Sequence, residues 1–176
     1  MMATVPATRE GEWQEQGHDL HQLYRDHRWS LVRLASLLLH EPADAEEVVQ
    51  EAFVKVYVAR DRLRDPDKAL AYVRSAVLNG ARSRLRHLRV ARRVEPAPPR
   101  SAESAESEAL GREENRRVMA ALLSLPVRQR ECLALRYYLD LSDAEIAITL
   151  GISGGSVKTH VHRGLAALAT RLERTP

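Results

Sequence analysis

Apolar residues return at helical spacing in nearly every stretch of this chain that carries them. Leu20, Leu23, Tyr24, His27, Leu31, Leu34, Ala35 and Leu38 share one face of a helix predicted to begin near Asp19 and to end before Pro42. Asp44 is suited to cap the next helix, where Ala45, Val48, Val49, Ala52, Phe53, Val56 and Tyr57 form the inward stripe and Glu46, Glu47, Gln50 and Glu51 stay outside. That helix is expected to break around Arg64-Asp65-Pro66-Asp67. A third starts near Lys68, turns Leu70, Tyr72, Val73, Ala76, Val77 and Leu78 inward, and runs into an arginine-rich tail.

The pattern then lapses. Residues 95–108 are poor in apolar side chains and rich in proline, serine and glutamate, the composition of a linker. Residues 1–17 are polar, carry Pro6 and Gly11, and have no period, which predicts a disordered tail. The chain therefore divides into a helical domain over 18–94, a flexible linker over 95–111 and a second helical domain over 112–174. The second opens with a helix from about Arg112 to Leu125, followed by one started by Pro126. No segment alternates as a strand does, so the fold class is all-α.

The end of the chain is the most structured in its signals. Ser142 and Glu145 have the spacing of a capping box, Gly151 can take the left-handed conformation that ends a helix, and Ser153 can cap the next. In that last helix Val157, Val161, Leu165, Leu168 and Leu172 are expected to face a core, leaving Ser156, Lys158, Thr159, His162 and Arg163 outside. A helix, a tight turn and a second helix of this kind can present side chains to a DNA major groove, or can be a plain hairpin with a solvated face.

Charge changes the picture more through its placement than its sum. The 176 residues carry 27 Lys and Arg against 24 Asp and Glu, a net +3. From Lys68 to Val94 there is no acid, while Arg74, Arg82, Arg84, Arg86, Arg89, Arg92 and Arg93 accumulate. Such a run lacks the counter-charges that surface helices interleave, and it fits a nucleic-acid surface. Tyr72 and Asn79 beside it could stack on or hydrogen-bond an unpaired base, although Tyr72 also fits a core position. From Glu41 to Glu51 the reverse holds: Glu41, Asp44, Glu46, Glu47 and Glu51 occur without a base, as a solvated face or a protein-docking face.

Several chemistries find no support. The carboxylates near Glu47 have no histidine at ligand spacing, and His160 and His162, two apart on a helix, diverge, so no metal or cofactor is expected. The single Cys132 sits in an apolar stretch without an evident base and reads as a buried thiol. No phosphate loop, nucleophile elbow or redox pair occurs, which argues against an enzyme. No apolar run is long enough to insert in a membrane and no signal peptide is evident, so a cytoplasmic protein is expected.

Taken together, the segments resemble an RNA polymerase sigma factor of the extracytoplasmic function group, in the sigma-70 family. Asp44-Ala45-Glu46-Glu47-Val48-Val49-Gln50-Glu51-Ala52-Phe53 resembles the family's polymerase-docking helix, and Tyr72-Val73-Arg74 through Asn79 to Arg86 resembles its −10 reading segment. Leu125-Pro126-Val127-Arg128-Gln129-Arg130-Glu131 and Leu141 to Arg163 are similar to its −35 reading domain. The resemblance implies two sigma domains and core RNA polymerase as partner, through its β′ clamp helices and its β subunit. It implies that Asp44, Glu47, Gln50 and Glu51 dock on the clamp helices, and that Ser156, Lys158, Thr159, His162 and Arg163 meet −35 DNA. It further implies that Tyr72, Arg74, Asn79, Arg82 and Arg86 take up melted −10 bases of promoter DNA. An anti-sigma factor is a third partner that the family often has. Arginine is common in the family where this chain has Lys158 and His160. The words Ile152-Ser153 and Val157-Lys158-Thr159-His160-Val161 also resemble a LuxR-type helix-turn-helix regulator, but a receiver domain with alternating strands should then come first.

Overall fold

The computed structural model describes residues 20–39, 41–60, 68–94 and 109–173. Among these the regular elements are helices: α1 (Leu20–Ser36), α2 (Pro42–Ala59), α3 (Ala69–Val94), α4 (Ala109–Leu123), α5 (Val127–Leu133), α6 (Asp143–Leu150) and α7 (Gly154–Glu173). The all-α reading holds. The expected tail over 1–17, the break over 64–67 and the linker stretch 95–108 lie outside the described residues. Helix α4 begins at Ala109, three residues ahead of its expected start near Arg112.

Helix α2 is started differently from the expectation. Pro42 occupies the first turn, where its missing N–H costs nothing, so Glu41 becomes the cap residue and makes no side-chain cap bond. Asp44 is thereby moved inside the first turn, close to the positive end of the helix dipole, and its carboxylate turns to Arg84. A second difference lies at the other end. Tyr57 was expected to be buried, but the inward stripe closes with Val56; Tyr57 is 55% exposed and lies under the Arg60 guanidinium, 4.2 Å from its ring centre.

Three helices make the first half of the core. Leu31 and Leu34 of α1, Val49 and Phe53 of α2, and Val73, Val77 and Leu78 of α3 are buried together, with Tyr24 set edge-on to Phe53 at 4.9 Å between ring centres. Each fully buried leucine contributes about 1.5–3 kcal/mol by leaving water. The second half does not form a separate core. Cys132, Leu135, Leu141, Ile146, Leu150 and Val157 join the same cluster, and Leu37, past the end of α1, packs on the smaller group Leu122, Leu125 and Leu133. A long polar linker suggested two independent bodies; among the described residues the two helical units pack on each other.

Two local features shape the second unit. Helix α5 widens over Ala134–Tyr138 into a π turn, where Leu139 N–H donates to the Ala134 carbonyl at 3.3 Å, and the chain turns out through Asp140 at φ 51. Helix α7 meets α5 through Gly164. A Cβ there would stand 3.0 Å from Leu133 Cδ1, so the missing side chain is what lets the helices close. The inward line therefore runs Val157, Val161, Gly164, Leu168, and Leu165, expected in the core, is one step off it and 40% exposed.

Candidate nucleic-acid interface

The helix-turn-helix is held by short-range bonds that the sequence announces. Glu145 N–H donates to Ser142 Oγ at 3.3 Å and Ser142 N–H to Glu145 Oε2 at 2.8 Å, the reciprocal capping box. Gly151, at φ 63, ends α6 in the left-handed region, and Ser153 Oγ accepts from Ser156 N–H at 3.1 Å to cap α7. With Val157 buried, the opposite face of α7 leaves Lys158, Thr159, His162 and Arg163 exposed. Ser156 is less free than expected: it is half-buried and shares a 2.9 Å bond with the Ser153 hydroxyl. Thr159 gives its hydroxyl proton to the Gly155 carbonyl at 3.0 Å, leaving its methyl and the acceptor lone pairs of its oxygen for a partner.

The basic helix α3 is divided in its loyalties. Asn79 and Arg86 are exposed and Tyr72 is half-buried against the core, so its ring serves packing first. Arg84 turns away toward α2, contacting Asp44 and, at 3.0 Å, Glu47; these carboxylates raise its pKa, chiefly through the hydrogen bond to Asp44. Arg82 is committed to the second unit: Nε and Nη2 donate to the two carboxylate oxygens of Glu131 at 2.5 and 3.1 Å. Its Nη1 also donates to Asn79 Oδ1 at 2.6 Å. Arg74 is half-buried, its pKa lowered by desolvation, with the Glu145 carboxylate opposing that shift.

Between α3 and α5 lies an open cleft of about 520 Å³, lined by Asn79, Arg82, Arg86 and Arg89 on one side and by Val127 and Arg128 on the other. Its walls are cationic with apolar patches. Such a surface suits phosphate or an acidic chain.

On α2 the acids take the face opposite the core. Glu47, Gln50 and Glu51 are exposed, Glu51 pairing with Lys55 at 3.1 Å, while Asp44 is half-buried under Arg84. The same stripe continues past the acids as Val54 and Val58, 61% and 72% exposed. Those two valines escaped the sequence reading, though their positions three and seven residues after Glu51 follow the helical period. The buried Glu131 escaped it too. Its signal was an acid set into the apolar run of residues 131–135, which calls for a buried cationic partner.

The family profile for Sigma-70 region 2 matches residues 23–94, and that for Sigma-70, region 4 matches residues 115–168. An RNA polymerase sigma-E factor of Streptomyces avermitilis is 31% identical over 157 residues, spanning 88% of this chain and 86% of the relative. The ECF RNA polymerase sigma factor SigL of Mycobacterium tuberculosis is 30% identical over 157 residues, spanning 86% and 87%. Among solved structures, CnrH in complex with the cytosolic domain of CnrY has a TM-score of 0.68 at 27% identity, covering 89% of each chain. The sigma factor RpoE of Bartonella quintana, in complex with the anti-sigma factor NepR, shares the fold, with a TM-score of 0.73 at 20% identity over 90% of this chain and 99% of that one.

Proposed function

This chain belongs to the sigma-70 family, in the extracytoplasmic function group of RNA polymerase sigma factors, and from that premise we propose how its surfaces divide the work of promoter recognition. The acidic stripe of α2, Asp44, Glu47, Gln50 and Glu51 with Val54 and Val58 beyond it, docks on core RNA polymerase at the β′ clamp helices. The second unit lays α7 in the −35 major groove, where Lys158, Thr159, His162 and Arg163 meet phosphates and base edges, with Ser156 at the helix start. The first unit takes up non-template bases of the −10 element through Tyr72, Arg74, Asn79, Arg82 and Arg86. Energy gained on unpaired bases favours the melted state over the duplex, so strand opening follows from differential affinity and needs no bond chemistry by this chain.

The observation that supports this reading most is the capped helix-turn-helix whose second helix buries Val157 and leaves Lys158, Thr159, His162 and Arg163 in solvent. The region 2 match over the first half disfavours a LuxR-type regulator, which would carry strands there; among the described residues there are none. No helix among the described residues is long and apolar enough to cross a membrane, and the work proposed belongs in the cytoplasm. RpoE of Bartonella quintana, which shares the fold, is bound by the anti-sigma factor NepR, and we assign the same class of partner here.

The test is transcription from a randomised promoter library by core polymerase with and without this chain. Start sites that appear only with the chain, sharing a −35 and a −10 word at fixed spacing, are the expected result. An identical set of transcripts with and without it would overturn the proposal.

A further inference from the structure

Asn79, Arg82, Arg86 and Arg89 follow one another at intervals of three and four residues, so they stand in one row along α3, and that row is the wall of the cleft that faces Val127 and Arg128 of α5. The charges there do not balance. Arg82 donates to both oxygens of the wholly buried Glu131 at 2.5 and 3.1 Å, and Arg128 is 3.2 Å from the same carboxylate. Arg86 and Arg89 are exposed and form no ion pair with a described residue. Four guanidiniums therefore line the space against one carboxylate, and no acid occurs from Lys68 to Val94 to make up the difference. The excess is felt behind the wall as well. Burial first, and then the charge of Arg89, lower the pKa of Arg130, with Glu131 opposing them.

The rest of the lining is of another kind. Leu85 and Val127 give the cleft apolar wall, and its volume of about 520 Å³ is in the range of sites that enclose cofactor-sized molecules. Asn79 Oδ1 is taken by Arg82 Nη1 at 2.6 Å, which leaves the two N–H donors of the amide for a ligand. We infer that this cleft is a binding site for a nucleoside polyphosphate, whose phosphates pair with Arg86, Arg89 and Arg128 and whose base lies against Leu85 and Val127 within reach of the Asn79 amide. Guanidinium forks match phosphate oxygens bidentately, and Arg86 and Arg89 give up no protein carboxylate in doing so. An inorganic anion would use the arginines and leave the apolar wall empty; a nucleotide uses both. On the functional reading above, Asn79, Arg82 and Arg86 also take up −10 bases, so a bound nucleotide and a −10 strand exclude each other.

Calorimetric titration of the full chain with ATP, without added magnesium and at about 0.15 M salt, where loose ion pairing is screened, tests the inference. One equivalent is expected to bind with saturation below about 1 mM, and inorganic pyrophosphate, which lacks the base, is expected to bind at least about tenfold more weakly. Arg86→Gln and Arg89→Gln, both at exposed positions, should each weaken ATP binding about tenfold or more with helicity unchanged, whereas Arg25→Gln, at an exposed position on α1, should leave it unaltered. A loss of equal size at Arg25 would show diffuse attraction and overturn the site, and so would pyrophosphate binding as tightly as ATP. Absence of saturation by ATP would overturn it too; a single-stranded oligonucleotide held in its place would make the cleft nucleic-acid surface alone. Failure of promoter-library transcription, with ATP bound as expected, would count against the functional reading and leave the nucleotide site standing.

Discussion

Arg84 of the basic helix lies against Asp44 of the acidic helix, and the same guanidinium is 3.0 Å from Glu47. Asp44 is therefore taken up within the protein, whereas Glu47 and Glu51, each 54% exposed at the side chain although each has one cationic neighbour, are the carboxylates a partner can reach. Charge reversal at both, Glu47→Lys with Glu51→Lys, is expected to weaken association with core polymerase by at least about a hundredfold while helicity stays unchanged, since both side chains are outside the core. Co-sedimentation or a binding titration with core polymerase measures this. Undiminished association would remove α2 as the docking element.

The contact of α7 with α5 depends on the absence of one methyl group. Gly164→Ala places a Cβ at 3.0 and 3.2 Å from Leu133 and at 3.3 Å from Gln129 Cβ. Overpacking of this kind costs about 1–3 kcal/mol, more than the roughly 1 kcal/mol that alanine returns in helix propensity. Denaturant unfolding should show a net loss, whereas Gly155→Ala, whose Cβ would meet nothing closer than 3.9 Å, should be neutral or stabilising. Equal midpoints for the two variants would mean that Leu133 yields freely.

The capping box makes the helix-turn-helix sensitive to acid. Hydrogen bonds from Ser142, from its side chain first and then its backbone, hold the Glu145 carboxyl below its ordinary 4.5, with the charge of Arg74 adding to them. Because the folded value is the lower one, this contribution is complete above pH 4.5 and is lost as pH falls through the folded value. Unfolding midpoints followed from neutral to acid pH should therefore drop more for the native chain than for Glu145→Gln below pH 4.5. Parallel acid limbs would show that Glu145 is not the linked group. Ser142→Ala, which removes the acceptor of the Glu145 N–H, should cost about 1 kcal/mol at neutral pH.

Cys132 is fully enclosed, and burial, together with the Glu131 charge, pushes its thiol up to about 11. A thiol reagent at pH 7.5 is expected to react at least about a hundredfold more slowly with the native chain than with the denatured one. Rapid native labelling would reveal opening of the core between the two units.

What could be read from the sequence was what is local. Ser142 and Glu145 are three residues apart, Gly151 follows the last turn directly, and the alternation of apolar and charged positions on α2 repeats every turn; each is decided by neighbours along the chain. What escaped was decided across space. Leu165 looked inward by spacing alone, but the helix axis is drawn toward Gly164 because only there can α5 approach. Arg82 and Glu131 are 49 positions apart and Arg130 and Leu38 are 92 apart, so neither pair leaves a pattern that a helical period can show. The linker composition told of length and polarity and said nothing of whether the units it joins would touch.

The central claim is that one chain reads two promoter elements at once, and a promoter drawn from the library tests it most directly. Transcription by core polymerase with this chain would be measured on the intact promoter, on one with the −35 word scrambled, and on one with the −10 strand already mismatched, each with the native chain and with Arg163→Ala. Scrambling −35 and Arg163→Ala should each lower initiation about tenfold or more without adding to each other, and pre-melting −10 should recover a large part of the loss. Equal initiation from intact and scrambled promoters, or an Arg163→Ala chain as active as the native one, would contradict the account.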